Sequence, residues 1–119
     1  MGHTYVKAKI INPKTGASKE LDFLIDTGAT KIVIPREVAE ELELEIYGET
    51  NVELADGSII KAIKYAGAIE YANEKDTIPV QSLGNGTEPL LGVLFLEAFN
   101  LEVNSKEQIV KKSRPLKAK

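Results

Sequence analysis

Phe23-Leu24-Ile25-Asp26-Thr27-Gly28-Ala29-Thr30 carries one carboxylate out of an apolar run and into a turn. Three consecutive large apolar residues read as a strand buried on both faces. Gly28, two residues past the acid, lets other backbone approach closely. An acid in such a setting is costly unless it is hydrogen-bonded or shares a proton, so Asp26 is the first candidate for chemistry. The tripeptide Asp-Thr-Gly alone is weak evidence, since it should occur by chance in roughly one chain in forty of this length. Its context carries the weight.

Outward from this stretch the hydrophobic period is mostly two. Upstream, Tyr5 to Ile11 alternates Val6, Ala8 and Ile10 with Tyr5, Lys7 and Lys9, as a half-buried strand does. Asn12-Pro13-Lys14-Thr15-Gly16 is a turn by composition, and a second strand from about Ser18 to Ile25 completes a hairpin. Downstream, Lys31 to Ile34 reads as a short buried strand. Pro35 to Leu42 reads as a helix, with Val38, Ala39 and Leu42 on one face and Glu37, Glu40 and Glu41 on the other.

Further on, Asn51–Leu54 and Ser58–Tyr65 flank Ala55-Asp56-Gly57, and Asp-Gly between apolar-patterned runs is a strong hairpin signal. Gly67–Tyr71 and Thr77–Leu83 form a pair around Asn73-Glu74-Lys75-Asp76. Gly84-Asn85-Gly86 is a loop, and Leu90-Leu91-Gly92 opens a second short helix through about Phe99. Leu101–Val103 and Gln108–Lys111 close the chain as a hairpin around Asn104-Ser105. The expected class is all-β, a closed barrel-like domain with two short helices, over residues 1–110. Residues 111–119 form a basic tail.

Composition narrows the chemistry. The 119 residues suit one domain, and 43% hydrophobic with 28% charged residues suits a globular one. No apolar run reaches the roughly 18 to 20 residues that span a bilayer, and Met1 to Ile10 holds no apolar signal core. A cytoplasmic chain with no membrane partner is therefore expected. There is no Cys and a single His, His3, which excludes thiolate catalysis and leaves a Ser–His–Asp triad or a His-rich metal site almost nothing to build on. Neither cofactor nor metal is implied. The tail holds Lys111, Lys112, Arg114, Lys117 and Lys119 with no acid, while the rest of the chain carries a net −8. With no interleaved aromatic and an acidic body, nucleic acid is not the expected partner.

Taken together, Asp26-Thr27-Gly28-Ala29 after an apolar strand, Leu90-Leu91-Gly92 near the other end and the Gly-containing hairpin Leu54-Ala55-Asp56-Gly57-Ser58 between them resemble the retropepsins. The chain is most similar to the small microbial retropepsin-like aspartic proteases, and the resemblance spans about Val6 to Val110. It implies peptide-bond hydrolysis by water held between two carboxylates that share one proton. This chain has one such Asp, so the resemblance also implies a two-fold homodimer that is half-built in each subunit, with Asp26 of both subunits meeting on the axis. Thr27 would then hydrogen-bond across the axis. Gly28 and Ala29 would support the loop and admit the substrate backbone, and Leu90, Leu91 and Gly92 would pack beneath it and shape the substrate pocket. Ala55, Asp56 and Gly57 would form the flap that closes over a polypeptide substrate.

The sequence departs from the retroviral pattern at Thr30 and Lys31, which stand where acids are usual. It departs again at Val93 and Leu94, which replace an Arg-Asn pair. Retroviral dimer salt bridges and substrate contacts therefore do not transfer. The expected substrate carries hydrophobic residues at the cleaved bond, and activity is expected at roughly pH 4 to 6. The terminal segments Thr4–Ile11 and Leu101–Lys111, as open-edged strands, are expected to supply the dimer contacts. Two other readings fit part of the pattern. One is a retropepsin-like dimerisation or peptide-binding module without turnover. The other is an actin-like ATPase fragment, suggested by Asp26-x-Gly28-x-Thr30, although the chain lacks the length and the second phosphate loop of that fold.

Overall fold

The apolar alternation of the first forty residues organises the whole molecule, and the computed structural model describes residues 3–84, 86–104 and 109–112. Strands β1 (Tyr5–Ile11) and β2 (Ser18–Ile25) form the expected hairpin, with Tyr5 opposite Leu24 and Ile11 opposite Ser18. Ala8, Ile10, Phe23 and Ile25 point into the core while Lys7, Lys9 and Asp22 face out. After β2 come β3 (Ile32–Val33), α1 (Arg36–Glu41), β4 (Glu45–Glu53), β5 (Ile59–Ala66), β6 (Ala68–Tyr71), β7 (Glu74–Thr77), β8 (Val80–Ser82) and β9 (Leu90–Leu91). α2 (Val93–Ala98), β10 (Leu101–Asn104) and β11 (Ile109–Lys112) complete the described chain.

Nine strands make one sheet in the order β4-β5-β8-β3-β9-β2-β1-β6-β7, and β10 with β11 makes a separate two-stranded sheet. The sheet is open, not the closed barrel expected from the sequence. Its edges explain why. β4 carries Glu45, Glu49 and Glu53, and every residue of β7, Glu74-Lys75-Asp76-Thr77, is exposed. Charged, solvated edges resist further pairing. The same order corrects the view of β1 as an open terminal edge, because β1 lies between β2 and β6.

Other boundaries differ for local reasons. β4 extends back to Glu45, where a bulge between Ile46 and Gly48 breaks the period that would have revealed it. β6 pairs with Glu74–Thr77 and not with Thr77–Leu83, because Ala72 and Asn73 both take positive φ (53° and 68°) and close a two-residue turn. β8 is thereby released to join β5 and β3. Pro35 is the N-cap of α1 and not its first helical residue. Leu90 and Leu91 are strand, and α2 starts only at Val93; an apolar pair has no period that separates strand from helix. Asn85, residues 105–108 (with Ser105 and Gln108) and residues 113–119 of the basic tail lie outside the described residues. No described helix is long and apolar enough to cross a membrane.

The core runs between the sheet and the two helices. Phe23, Phe95, Ile10, Ile32, Ile34, Ile69 and Leu91 are completely buried. Phe95 stacks on Phe99 at 4.9 Å and meets the edge of Tyr71 at 5.7 Å, which fixes α2 against β6.

One buried polar side chain ties this layer together. Asn12, only 4% exposed, donates through Nδ2 to the carbonyls of Leu42 (2.9 Å) and Glu43 (3.1 Å). Its Oδ1 accepts from the amide of Lys14 at 2.9 Å. The first hairpin turn is thus joined to the end of α1. Asn12→Leu keeps the volume but leaves these groups unpaired, and should cost about 1–3 kcal/mol. A lower urea midpoint at unchanged slope is the expected result.

Candidate active site

The Asp26 loop is built by the way β2, β9 and β3 interlock. β9 runs parallel to β2, with Leu24 opposite Leu90 and Ile25 opposite Leu91, and antiparallel to β3, with Ile32 opposite Leu91. The chain leaving β2 must therefore cross the end of β9 before returning as β3. Residues Asp26 to Thr30 make that crossing, directly over Gly92.

Backbone hydrogen bonds hold the crossing on both sides. Asp26 donates its N–H to Leu91 O at 3.0 Å. Val93 donates to Ala29 O and Leu94 to Thr30 O, both at 2.9 Å. The first amides of a helix ordinarily lack partners within it, and α2 has no side-chain cap; here the loop's carbonyls satisfy them. A Cβ on Gly92 would lie 2.6 Å from both Ala29 O and Thr30 C. Only glycine permits so close a crossing.

Inside the loop, Asp26 Oδ1 accepts the Gly28 N–H at 3.0 Å, and Ala29 N–H closes on Asp26 O at 3.0 Å. A Cβ at Gly28 would stand 3.3 Å from Oδ1. Among the described residues, Oδ2 and the Thr27 hydroxyl have no hydrogen-bond partner. Asp26 and Ala29 are half-buried, while Thr27 and Gly28 are exposed. The arrangement presents a carboxylate of fixed orientation with one oxygen braced and the other open to a ligand.

The structure thus brings Asp26, Thr27, Gly28 and Ala29 together with Leu90, Leu91 and Gly92. Ala55, Asp56 and Gly57 lie apart, at the tip of the β4–β5 hairpin, and no hydrogen bond among the described residues joins them to the loop. There Leu54 donates to Ser58 O at 2.8 Å, Gly57 donates to Leu54 O at 2.9 Å, and Gly57 takes φ of 88°. Ser58 donates its hydroxyl (2.6 Å) and its amide (2.9 Å) to Asp56 Oδ1. Those two bonds hold the Asp56 carboxyl below the usual carboxylate range.

Register reveals residues that the sequence reading passed over. Leu24 and Asp26 are two apart, so they share a face. Pairing continues that face through Leu90 on β9, Val33 on β3, Gln81 on β8 and Lys64 on β5. Leu24 and Leu90 are half-buried and floor the region beside the acid. Alternation in β2 was the signal for Leu24; nothing local singled out Val33 or Gln81. Elsewhere, Tyr5 donates its hydroxyl to Glu88 Oε2 at 2.9 Å, and this bond to a carboxylate raises the phenol above its ordinary range. Among the described residues no three acidic or His side chains are grouped to hold a metal ion.

Gly92→Ala should drive backbone against backbone and destabilise the fold by about 1–3 kcal/mol, with displaced amide resonances for Asp26 to Thr30. Gly48→Ala is the matched control, since its Cβ would meet only Lys64 Cδ at 3.9 Å. Thermal unfolding of the two variants, with amide spectra, checks the difference.

Comparison with known proteins agrees with this geometry. A family described as "gag-polyprotein putative aspartyl protease" matches residues 15–98. Among solved structures, the EIAV protease complexed with the inhibitor HBY-793 superposes with a TM-score of 0.67 at 17% identity, covering 82% of this chain and 88% of that one. A retropepsin-like aspartic protease from Rickettsia conorii gives 0.61 at 23%, covering 87% and 77%. The retroviral protease-like domain of Ddi1 from Leishmania major gives 0.65 at 12%, covering 97% and 91%. None of the curated proteins matches the chain. These likenesses establish the fold, and because the family match covers well over half of the sequence, from the first hairpin turn through α2, the chain belongs to the retropepsin-like aspartic proteases.

Proposed function

We propose that this chain is an aspartic endopeptidase whose catalytic residue is Asp26, acting in a two-fold homodimer. The observation that carries the reading is the braced Asp26 carboxylate on the loop that crosses Gly92. One such loop is half of a catalytic pair. In the dimer, Asp26 and the partner's Asp26 approach closely enough that one proton is shared, because two like charges so near do not both ionise.

The ionised carboxylate takes a proton from a water molecule, whose oxygen attacks the scissile carbonyl carbon. The protonated carboxyl gives its proton to the carbonyl oxygen, forming a tetrahedral diol. Collapse of the diol transfers a proton to the amide nitrogen and breaks the C–N bond, leaving a carboxylic acid and an amine. Thr27 braces the paired loops across the axis, and Gly28 admits the substrate backbone. The hairpin tip at Ala55-Asp56-Gly57 closes over the bound peptide and excludes water. Leu24 and Leu90 favour apolar residues beside the cleaved bond. The β10–β11 sheet, whose outer edges pair with no other strand among the described residues, supplies dimer contacts. The enzyme works in the cytoplasm on polypeptides, consistent with a chain free of cysteine.

Asp26→Asn removes both copies of the acid–base pair and should abolish hydrolysis of unfolded polypeptides while leaving the fold and the dimer intact. Excess mutant mixed with wild-type protein should suppress activity through inactive heterodimers. Sedimentation over a concentration series, run beside that mixing assay, tests both points. An active monomer that the mutant does not suppress would overturn the reading.

A bell-shaped dependence of kcat/KM on pH is also expected, with its maximum at roughly pH 4 to 6, because the pair must hold one proton and no more. Initial rates from pH 3 to 8 with and without a chelator check it. An alkaline maximum, or loss of activity on chelation, would exclude the mechanism.

A further inference from the structure

A second feature lies on the same face of the sheet as Asp26. A cavity of about 120 Å³ is lined by Lys31, Tyr47, Lys64, Pro79, Gln81 and Leu94. On the same measure one water needs about 10–15 Å³, so a side chain of carboxylate size fits. Lys31 follows the Asp26 loop directly, and Lys64 and Gln81 are opposed across β5 and β8. Neither lysine has an acidic partner among the described residues, whereas Lys7, Lys14, Lys19 and Lys61 each have one. Gln81 is only 9% exposed, and its buried Oε1 has no hydrogen-bond partner among the described residues. A buried amide oxygen left without a donor is costly, so a ligand that brings an N–H to it gains from doing so.

Two unpaired cations, one unsatisfied acceptor and apolar walls from Tyr47, Pro79 and Leu94 describe the complement of a peptide segment. Its backbone brings the N–H and its side chain brings the negative charge. Distance sets its place. From Leu24, the strand beside Asp26, to Gln81 is three strand spacings, roughly 14 Å at ~4.8 Å each. An extended peptide covers that in about four residues at ~3.4 Å each. We propose that this cavity is a specificity subsite that takes a glutamate or aspartate side chain of the substrate, within about four residues of the cleaved bond, between Lys31 and Lys64. The proposal rests on the reading of the chain as an aspartic endopeptidase.

The test uses the full chain and internally quenched peptides at pH 6, where a peptide carboxylate is ionised. A single Glu is moved through the four positions on either side of a fixed apolar pair, against the same series with Gln. At one position per side or fewer, Glu should raise kcat/KM roughly tenfold over Gln, the effect of one charge-assisted hydrogen bond in a partly dry pocket. The double variant Lys31→Glu/Lys64→Glu should reverse that preference in favour of Lys, while the all-Gln peptides are still cut. In parallel, fluorescence anisotropy measures binding of the labelled Glu and Gln peptides to Asp26→Asn protein, with and without the charge reversal.

Equal cleavage of Glu and Gln peptides at every position, unmoved by charge reversal, overturns the subsite and leaves the protease reading standing. No cleavage by wild type, with tighter binding of the Glu peptide to Asp26→Asn that charge reversal abolishes, overturns the protease reading and leaves the anion site. No cleavage and no difference in binding overturns both.

Discussion

Everything in this fold that concerns chemistry depends on one close crossing. The chain from Asp26 to Thr30 passes over Gly92 at a distance that leaves no room for a single methyl group. That contact does three things together. It lets β9 lie between β2 and β3, it supplies carbonyl partners for the first amides of α2, and it fixes the direction in which the Asp26 carboxylate leaves the sheet. A looser crossing would deprive the first amides of α2 of the carbonyl partners they now have. The acid is therefore positioned by backbone hydrogen bonds and not by neighbouring charges. Positioning of that kind stays constant when charged groups around it titrate.

The open sheet follows from a similar division of labour. Central strands β3, β8 and β9 are short and mostly buried. The edges β4 and β7 are charged. β4 and β5 form a long hairpin whose exposed tip, at Leu54 to Ser58, is held among the described residues only by its own hydrogen bonds. Few buried contacts and self-contained bonding describe a segment that can move without unfolding what supports it.

Much of this was legible in the sequence because it was written in periodicity. The β1–β2 hairpin, the helix after the acid and the Asp-Gly turn all follow from alternation or from residues with special φ, and Asp26-Thr27-Gly28 with Leu90-Leu91-Gly92 marked both halves of the crossing before their contact was known. What escaped was set by tertiary pairing. Leu90 and Leu91 are too few to show a period, and their strand exists because β2 and β3 flank it. β4 hid behind a bulge at Ile46/Gly48. The turn at Ala72-Asn73 uses positive φ without a glycine, so it carries a weaker turn signal than the polar run Asn73-Glu74-Lys75-Asp76 that overlaps it. Gln81 and Lys64 carry no motif at all; only the register across β5, β8 and β3 places them on the face of Asp26.

The hairpin tip has a pH response of its own. The Ser58 hydroxyl and then the Ser58 amide hold the Asp56 carboxyl below the usual carboxylate range. A group whose folded value is depressed contributes its stability above the unfolded value and loses it only as pH falls through the folded one. The carboxylate that braces the tip therefore remains ionised into a range where ordinary carboxyls have begun to take up protons. Because Asp56 is fully exposed, this brace adds little to global stability; its effect is on the local order of Leu54 to Ser58.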